Sequence, residues 1–261
     1  MNIKNIHLAY FSATFSTKRI VREIASQFQK PVIEYDITSD VLKDDVSLGS
    51  DGDLLIVGVP SYAGRVPEMA VRSLRRFIGN NTPAIIVCVY GNRAYDDTLI
   101  ELKDLVESHG FKLLSVAAVI AQHSIFPKIA EGRPNAVDTE KLHDFASKNR
   151  ELLLQIPKMS AVSRLMVKGN RPYRDTKPIP LHPEGSRGKC TSCHACVKCA
   201  LSEPSLWGNP TRPMKRNASL ADAVSWSVPS MPDISVACCI RLSAGSSKKR
   251  IRNLSSLNFS M

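Results

Sequence analysis

Short apolar runs alternate with amphipathic stretches along roughly the first 155 residues of the chain. Stretches with apolar residues at helical spacing predict helices over residues 17–28, 67–78, 96–108 and 138–154. Strands that are apolar on both faces and alternate with such helices indicate an α/β fold with a parallel sheet covered on both sides. The five apolar runs that predict these strands are Ile6–Phe11, Val32–Tyr35, Leu54–Val59, Ala84–Tyr90 and Leu113–Ile120.

Five such units fit a doubly wound, five-stranded parallel sheet of order 2-1-3-4-5, numbered along the chain. Ligands of this architecture bind beyond the carboxyl ends of the strands. We therefore expect the loops after the first, third and fourth predicted strands to carry the function.

The loop after the first strand is rich in hydroxyl groups. Together with backbone N–H groups at the start of a helix, they suit a phosphate dianion, although an ordinary Ser/Thr helix cap would use the same residue types. The loop lacks the Lys-Ser/Thr pair of a nucleoside triphosphate loop, so ATP and GTP are not expected. The candidate phosphate-binding residues are Ser12, Thr14, Ser16 and Thr17.

The other two loops place aromatic side chains beside small residues. A flat tricyclic ring needs such aromatic faces for stacking and accessible backbone for hydrogen bonds along its edge. The candidates are Pro60, Ser61, Tyr62, Ala63 and Gly64 in one loop, and Tyr90, Gly91, Asn92 and Tyr95 in the other.

These motifs resemble those of the flavodoxin/ferredoxin fusion proteins of anaerobes. The Ser-x-Thr-x-x-Thr pattern over residues 12–17 is similar to the flavodoxin phosphate loop, and residues 58–67 and 89–97 are similar to the family's later loops. The resemblance implies a flavodoxin-like domain with FMN as cofactor, its phosphate in the first loop and its isoalloxazine ring between the other two. Phe15 departs from the pattern, because many flavodoxins have glycine there.

The net charge of +11 is unevenly distributed. Residues 1–156 hold 18 Lys and Arg against 19 Asp and Glu, whereas residues 157–261 hold 17 against 5. The C-terminal part offers nothing resembling a platform for stacking bases, so we predict no nucleic-acid partner. The chain also lacks a signal-peptide pattern and an apolar run of transmembrane length, which predicts a cytoplasmic protein without a membrane span.

Cysteines are concentrated in a Cys-x-x-Cys-x-x-Cys motif at Cys190, Cys193 and Cys196. Three thiolates at this spacing can hold three corners of a 4Fe-4S cluster, and a zinc site that includes His194 is the alternative. A bacterial ferredoxin has three residues before its fourth cysteine and a proline after it. Cys199 comes one residue too early and is a poor fourth ligand.

The sequence after about Lys198 is consistent with a shifted reading frame. If one base is missing near codon 199, Ala200 and Leu201 permit a Cys-Pro pair at the regular spacing. Farther on, residues 218, 221, 224 and 228 permit four more cysteines, followed by a proline, in the pattern of a second ferredoxin run. A genuine serine-rich tail is the alternative.

These patterns divide the chain into a flavodoxin-like FMN domain (1–156), a linker (157–188), a partial 4Fe-4S ferredoxin motif (189–200) and a disordered, possibly out-of-frame tail (201–261). They predict a protein that passes single electrons between FMN and iron–sulfur clusters and exchanges them with redox partner proteins. We expect the cluster to be impaired or absent. The alternatives are an FMN-dependent NAD(P)H or quinone reductase and a zinc-binding module. No catalytic constellation is predicted, and His123 is a further candidate for contact with the flavin.

Overall fold

The computed structural model describes residues 1–39, 41–49, 51–157, 159, 162–176, 181–185 and 240–244. The chain forms two compact units, Met1–Thr176 and Lys177–Met261. The first unit therefore extends beyond residue 156, where the sequence places the start of a linker. The added residues belong to it because 162–176 make hydrogen bonds to Asp97, Asp104 and Glu107.

The first unit contains seven strands and four helices among its described residues. The helices are α1 (Ser16–Ser26), α2 (Glu68–Leu74), α3 (Thr98–Ser108) and α4 (Ala136–Gln155). The strands are β1 (Asn5–Tyr10), β2 (Val32–Asp36), β3 (Val46–Leu48), β4 (Asp53–Pro60), β5 (Phe77–Gly79), β6 (Thr82–Tyr90) and β7 (Phe111–Ile120).

The main sheet has the order β2-β1-β4-β6-β7, and every neighbouring pair is parallel. The predicted doubly wound α/β sheet of order 2-1-3-4-5 is thereby confirmed, because these are its five strands in that order. Strands β4 and β6 are almost wholly buried. Their near-continuous apolar sequences therefore have partners on both faces of the sheet.

Alternate residues of the central strands face a common core with α1 and α4. Ile6, Leu8 and Tyr10 of β1 lie in this core, as expected from the two-residue period of a strand. At Gly58 in β4, a Cβ atom would lie 2.3 Å from Cγ1 of Val21 in α1. A glycine is needed there because the helix packs so closely against the sheet.

The predicted helix over residues 67–78 is wrong at its C-terminal end. Helix α2 ends at Leu74, and Phe77–Gly79 form β5, which pairs in parallel with β3. Phe77 is buried and Ile78 is 44% exposed, an alternation that fits a strand rather than a helix. Phe77 packs edge-on against Tyr35 at a ring-centroid distance of 5.1 Å, and this tertiary contact overrides the helical spacing.

In the second unit, the described residues form an antiparallel pair, β8 (Leu181–Gly185) and β9 (Ile240–Ala244). The pair joins a strand in the predicted linker to one in the segment predicted to be a disordered tail. Across the described ranges, no helix is both long enough and apolar enough to cross a membrane.

Candidate functional site

The N-terminus of α1 follows the loop at the carboxyl end of β1. Phe15 occupies the N-cap position with a φ of 61°, and its side chain makes no capping hydrogen bond; the Ser12 hydroxyl accepts only from the amide of Lys18 in the first turn. Its first turn also carries no acidic residue. The unpaired N–H groups and the positive end of the helix dipole therefore favour an anion at this point.

The four predicted phosphate-binding residues divide into two pairs. Ser12 and Thr17 are buried: the Ser12 hydroxyl accepts a hydrogen bond from the Lys18 amide at 3.0 Å, and the Thr17 methyl group packs toward Gly58. Thr14 and Ser16 are half-buried, with 3.3 Å between their hydroxyl oxygens. Ser12 and Thr17 thus shape the loop, whereas Thr14 and Ser16 place hydroxyls beside the open helix end.

The basic side chains next to this loop already have partners. Lys18 Nζ lies 3.6 Å from Oδ2 of Asp36 and 5.2 Å from the centroid of the Tyr10 ring. Arg19 donates to the carbonyl oxygen of Pro134. An anion here would consequently be held mainly by backbone N–H groups and hydroxyls.

The loop after β4 makes a tight turn at the same edge of the sheet. Tyr62 and Arg65 exchange two backbone hydrogen bonds of 3.0 Å, and the intervening Ala63 and Gly64 have φ values of 51° and 82°. These left-handed conformations are typical of a type I′ turn. The Tyr62 ring packs edge-on against Phe11 at 6.0 Å, so this turn contacts the segment that leads into the phosphate loop.

The loops that follow β4 (residues 60–67) and β6 (residues 90–97) are called the ring loops. Hydrogen bonds join them to each other. The Ser61 hydroxyl lies 2.8 Å from the Thr98 hydroxyl and donates to the Tyr95 carbonyl oxygen at 3.3 Å. The Asp97 amide donates to the Gly64 carbonyl oxygen at 3.0 Å. Ser61, predicted to flank a ring, thus also joins the two loops.

The loop after β6 carries the other predicted ring-binding residues. The Tyr90 and Tyr95 rings pack edge-on, with centroids 5.4 Å apart, and both are half-buried. Asn92 is exposed with a φ of 64°, and Gly91 lies against the ring of His123. Pro60 ends β4, where its backbone pairs with Val89 of β6.

His123 is held in a single orientation beside Gly91. Its Nδ1 accepts hydrogen bonds from the amides of Ile125 and Phe126 at 3.1 and 3.2 Å. Burial lowers the pKa of this imidazole, which favours the neutral ring with its proton on Nε2. The sequence placed His123 near the ligand edge, and the structure adds its contact with Gly91.

Sequence reasoning missed Asp97, which is only 2% exposed. Its Oδ1 accepts from the backbone amide of Asn170 at 2.8 Å and from Nδ2 of the same residue at 3.2 Å. Its Oδ2 accepts from the Arg174 amide at 2.8 Å. Burial alone would raise the pKa of this carboxyl, but the hydrogen bonds bring its pKa below the ordinary value.

The predicted cluster ligands Cys190, Cys193, Cys196 and Cys199 lie outside the described residues. Cys88 is buried in β6, where burial raises the pKa of its thiol, as fits a small core residue. Within the described ranges, no group of three or more His, Cys, Asp or Glu side chains is arranged to hold a metal ion.

The sequence matches no family model and no curated protein sequence. Among solved structures, a Streptococcus pneumoniae flavodoxin is 18% identical over 58% of this chain and 99% of its own, with a TM-score of 0.42. A Fusobacterium nucleatum flavodoxin bound to flavin mononucleotide is 17% identical over 57% and 98%, with a TM-score of 0.41. An NADH:FMN oxidoreductase in its apo form is 15% identical over 59% and 92%, with a TM-score of 0.44.

Proposed function

We propose that the first unit binds FMN at the carboxyl edge of its sheet and that the protein transfers electrons. The observation that carries this proposal is the meeting of three loops, after β1, β4 and β6, at one edge. One of them leads to an open helix N-terminus, and the other two carry tyrosines. When bound, FMN supplies one- and two-electron redox chemistry, and the protein supplies its orientation and environment.

The residues at this edge of the sheet suit both ends of FMN. The N–H groups at the start of α1 and the hydroxyls of Thr14 and Ser16 suit its phosphate dianion. At the other end, Tyr62, Tyr90 and Tyr95 suit contact with the apolar ring system. The backbones of the ring loops would supply hydrogen bonds to the edge of the ring. They include Pro60, Ser61, Ala63, Gly64, Gly91 and Asn92.

A flavin titration tests this proposal. The full-length chain, freed of bound flavin, is titrated with FMN and with riboflavin while flavin fluorescence is followed. We expect stoichiometric quenching by FMN and weaker binding of riboflavin, because riboflavin lacks the phosphate. Absence of binding, or equal affinity for the two flavins, would contradict the proposal.

For the second unit, we propose that Cys190, Cys193 and Cys196 supply three ligands to a 4Fe-4S cluster that is labile or fails to assemble. The support is the spacing of the cysteines together with the early position of Cys199. Anaerobic purification followed by iron, sulfide and zinc analysis tests it. Two full clusters would refute an impaired site, and stoichiometric zinc without iron would support the zinc module instead.

The proposed shift of reading frame has its own test. Resequencing the gene through the codons for Cys196 to Leu201 should reveal one additional base. Confirmation of the present reading would mean either a real lesion in the gene or a genuine tail.

An electron carrier and a reductase differ in how they receive electrons. We propose the carrier, with redox proteins as partners and no role for nucleic acid. Steady oxidation of NADH or NADPH by the purified, FMN-loaded chain would favour the reductase. Slow oxidation of both nucleotides, combined with rapid reduction of the flavin by a low-potential redox protein, would favour the carrier.

A further inference from the structure

A segment that the sequence assigns to the linker runs along the whole of α3. This segment, residues 162–176, is called the strap. Its Arg164 reaches Glu107 near the C-terminal end of α3 at 3.4 Å, and its Arg171 forms a two-point ion pair with Asp104 in the middle. At the N-terminal end of α3, Asn170 and Arg174 bond to Asp97. The strap therefore carries the chain to the edge of the sheet where the ring loops lie.

The strap lies directly against the helix. A Cβ atom at Gly169 would be 2.3 Å from Cγ2 of Ile100 and would have an unfavourable φ of +147°. Only glycine permits this approach of the strap backbone to α3. Tyr173 adds a hydrogen bond from its hydroxyl to Oδ2 of Asp104 at 2.6 Å.

Asp97 connects the strap to both ring loops. Its buried carboxylate accepts all three hydrogen bonds from Asn170 and Arg174, while its backbone amide donates to the carbonyl oxygen of Gly64. Asp97 itself ends the loop after β6, and its carbonyl oxygen accepts from the Glu101 amide at 2.9 Å. A single residue thus joins the strap, the two loops and the first turn of α3.

Arg65 forms a second connection on the outer side of the first ring loop. Its guanidinium bonds to both carboxylate oxygens of Glu101, at 2.7 and 2.8 Å, and lies 5.0 Å from the centroid of the Tyr173 ring. Its Nη1 also donates to the Arg174 carbonyl oxygen at 2.8 Å. Arg174 additionally pairs with Asp96 and packs over Gly64.

We infer that the strap is part of the flavin site and that Asp97 is a positioning residue for it, an inference that rests on the proposed function. In this assignment, no residue of the strap contacts the cofactor. It holds the two ring loops in one mutual arrangement, so that binding the ring does not have to order them. Because coupling between two sites is reciprocal, flavin binding must in turn hold the strap more firmly on α3.

The first test is the Asp97→Asn variant of the full-length chain. The amide group of asparagine faces the N–H donors of the strap with a donor of its own, so the connection is weakened at nearly constant volume. We expect affinity for both FMN and riboflavin to fall about tenfold, because the ring end of the site is affected. Unchanged affinity for both flavins would overturn the inference.

Asp104→Asn is the matched control. It removes the charge that receives Arg171 and Tyr173 from the strap, yet Asp104 contacts neither ring loop. We expect its flavin affinities to stay within about twofold of those of the unmodified chain. A loss equal to that of Asp97→Asn would mean that attachment of the strap in general, rather than the connection at Asp97, positions the ring loops, and would overturn the assignment of Asp97 as the positioning residue.

Limited trypsin digestion gives a readout that a purely structural role of Asp97 would not change. We expect FMN to slow cleavage after Lys168 and Arg174 of the strap about tenfold in the unmodified chain. Cleavage after the exposed Lys148 of α4 serves as the internal reference. Equal cleavage rates in the strap with and without FMN would refute the coupling.

Two further results keep the inference separate from the proposed function. If Asp97→Asn does not fold, Asn170→Ala removes only the 3.2 Å side-chain bond to Asp97, and we expect a smaller loss of flavin affinity, about threefold. If the unmodified chain binds no flavin, the proposed function fails. If it binds flavin, and neither variant has a lower affinity, the inference alone fails.

Discussion

The phosphate loop and the ring loops lie at the same edge of the sheet but are built differently. At the start of α1, the hydroxyls of Thr14 and Ser16 bond only to each other among the described residues, and the N-cap residue Phe15 makes no capping hydrogen bond. In the ring loops, Ser61, Asp97 and Arg65 are all engaged in hydrogen bonds within the protein. One end of the site keeps its polar groups available, whereas the other uses them to fix its own shape.

This difference matches what each end of FMN requires. A phosphate dianion needs donors, and an N-terminal helix turn presents several of them in a fixed direction. An isoalloxazine ring needs a slot of constant width, because most of its contacts are with flat apolar faces. We therefore expect changes in the ring loops to affect stability and binding together, and removal of a hydroxyl from the phosphate loop to affect binding of the phosphate alone.

The largest effect is expected from Gly64→Ala in the first ring loop. Its Cβ would lie 2.5 Å from Oδ2 of Asp96 and 2.8 Å from Cδ of Arg174, at a φ of +82°. The clash and the left-handed backbone together should lower the free energy of unfolding by about 2–5 kcal/mol and abolish flavin binding. Urea denaturation and flavin titration of the full-length chain measure the two effects.

Gly132→Ala separates the cost of the clash from the cost of the left-handed backbone. Gly132 has a φ of +72°, but a Cβ there would have no neighbour within 4 Å. Its expected cost of about 1–2 kcal/mol is that of the backbone alone, and flavin binding should persist. Equal losses of stability in the two variants would show that the ring loops tolerate the added methyl group.

The next effect is expected in the phosphate loop, from Thr14→Val. The change keeps the shape of the side chain but removes a hydroxyl that has no protein partner other than Ser16 among the described residues. A hydrogen bond to a charged group contributes about 1.5–3 kcal/mol, so FMN affinity should fall at least about tenfold. Riboflavin affinity and the urea midpoint should not change, and a parallel loss of riboflavin affinity would mean that Thr14 supports the ring instead.

The sequence predicted most of the fold because the governing signals are local. Continuous apolar runs predicted the five main strands, and their alternation with amphipathic helices predicted the strand order. The prediction erred at Phe77 and Ile78, whose spacing also fits a helix. The strand forms there because Phe77–Gly79 pair with Val46–Leu48 and Phe77 packs against Tyr35. Contacts between distant parts of the chain decide such short elements.

The residues of the proposed site could be predicted only where they lie at the end of a strand or just after it. Thr14, Tyr62 and Tyr90 are of this kind, since the carboxyl ends of parallel strands meet at one edge. Asp97 and its partner Asn170 are 73 residues apart, and the strap has the composition of a linker. No pattern in the neighbouring sequence predicts that an aspartate will accept a hydrogen bond from a distant backbone amide. Only the folded chain shows that this residue connects the two loops.

A smaller effect, of opposite sign, is expected from Phe15→Gly. Phe15 has a φ of 61°, a conformation that costs a side-chain-bearing residue about 1–2 kcal/mol, and its ring is 44% exposed. Glycine relieves that cost but adds chain entropy to the unfolded state, so we expect a net gain in unfolding free energy of about 0.5–1 kcal/mol. Phe15→Ala is the control and should bring no gain, since alanine keeps the Cβ.

The smallest effect concerns the pH dependence of stability and again separates the two ends of the site. Hydrogen bonds hold the pKa of Asp97 below its ordinary value despite burial, so the unfolded chain binds a proton before the folded chain does. The stabilisation is therefore complete above the unfolded-state pKa of about 4 and is lost as the pH falls through the folded-state value. Unfolding free energy measured by urea titration should decline less steeply below about pH 4 in Asp97→Asn than in the unmodified chain. Thr14→Val should keep the steeper slope, because it removes no ionisable group, and an equal slope in all three proteins would mean that the Asp97 carboxylate is not held ionised by the strap.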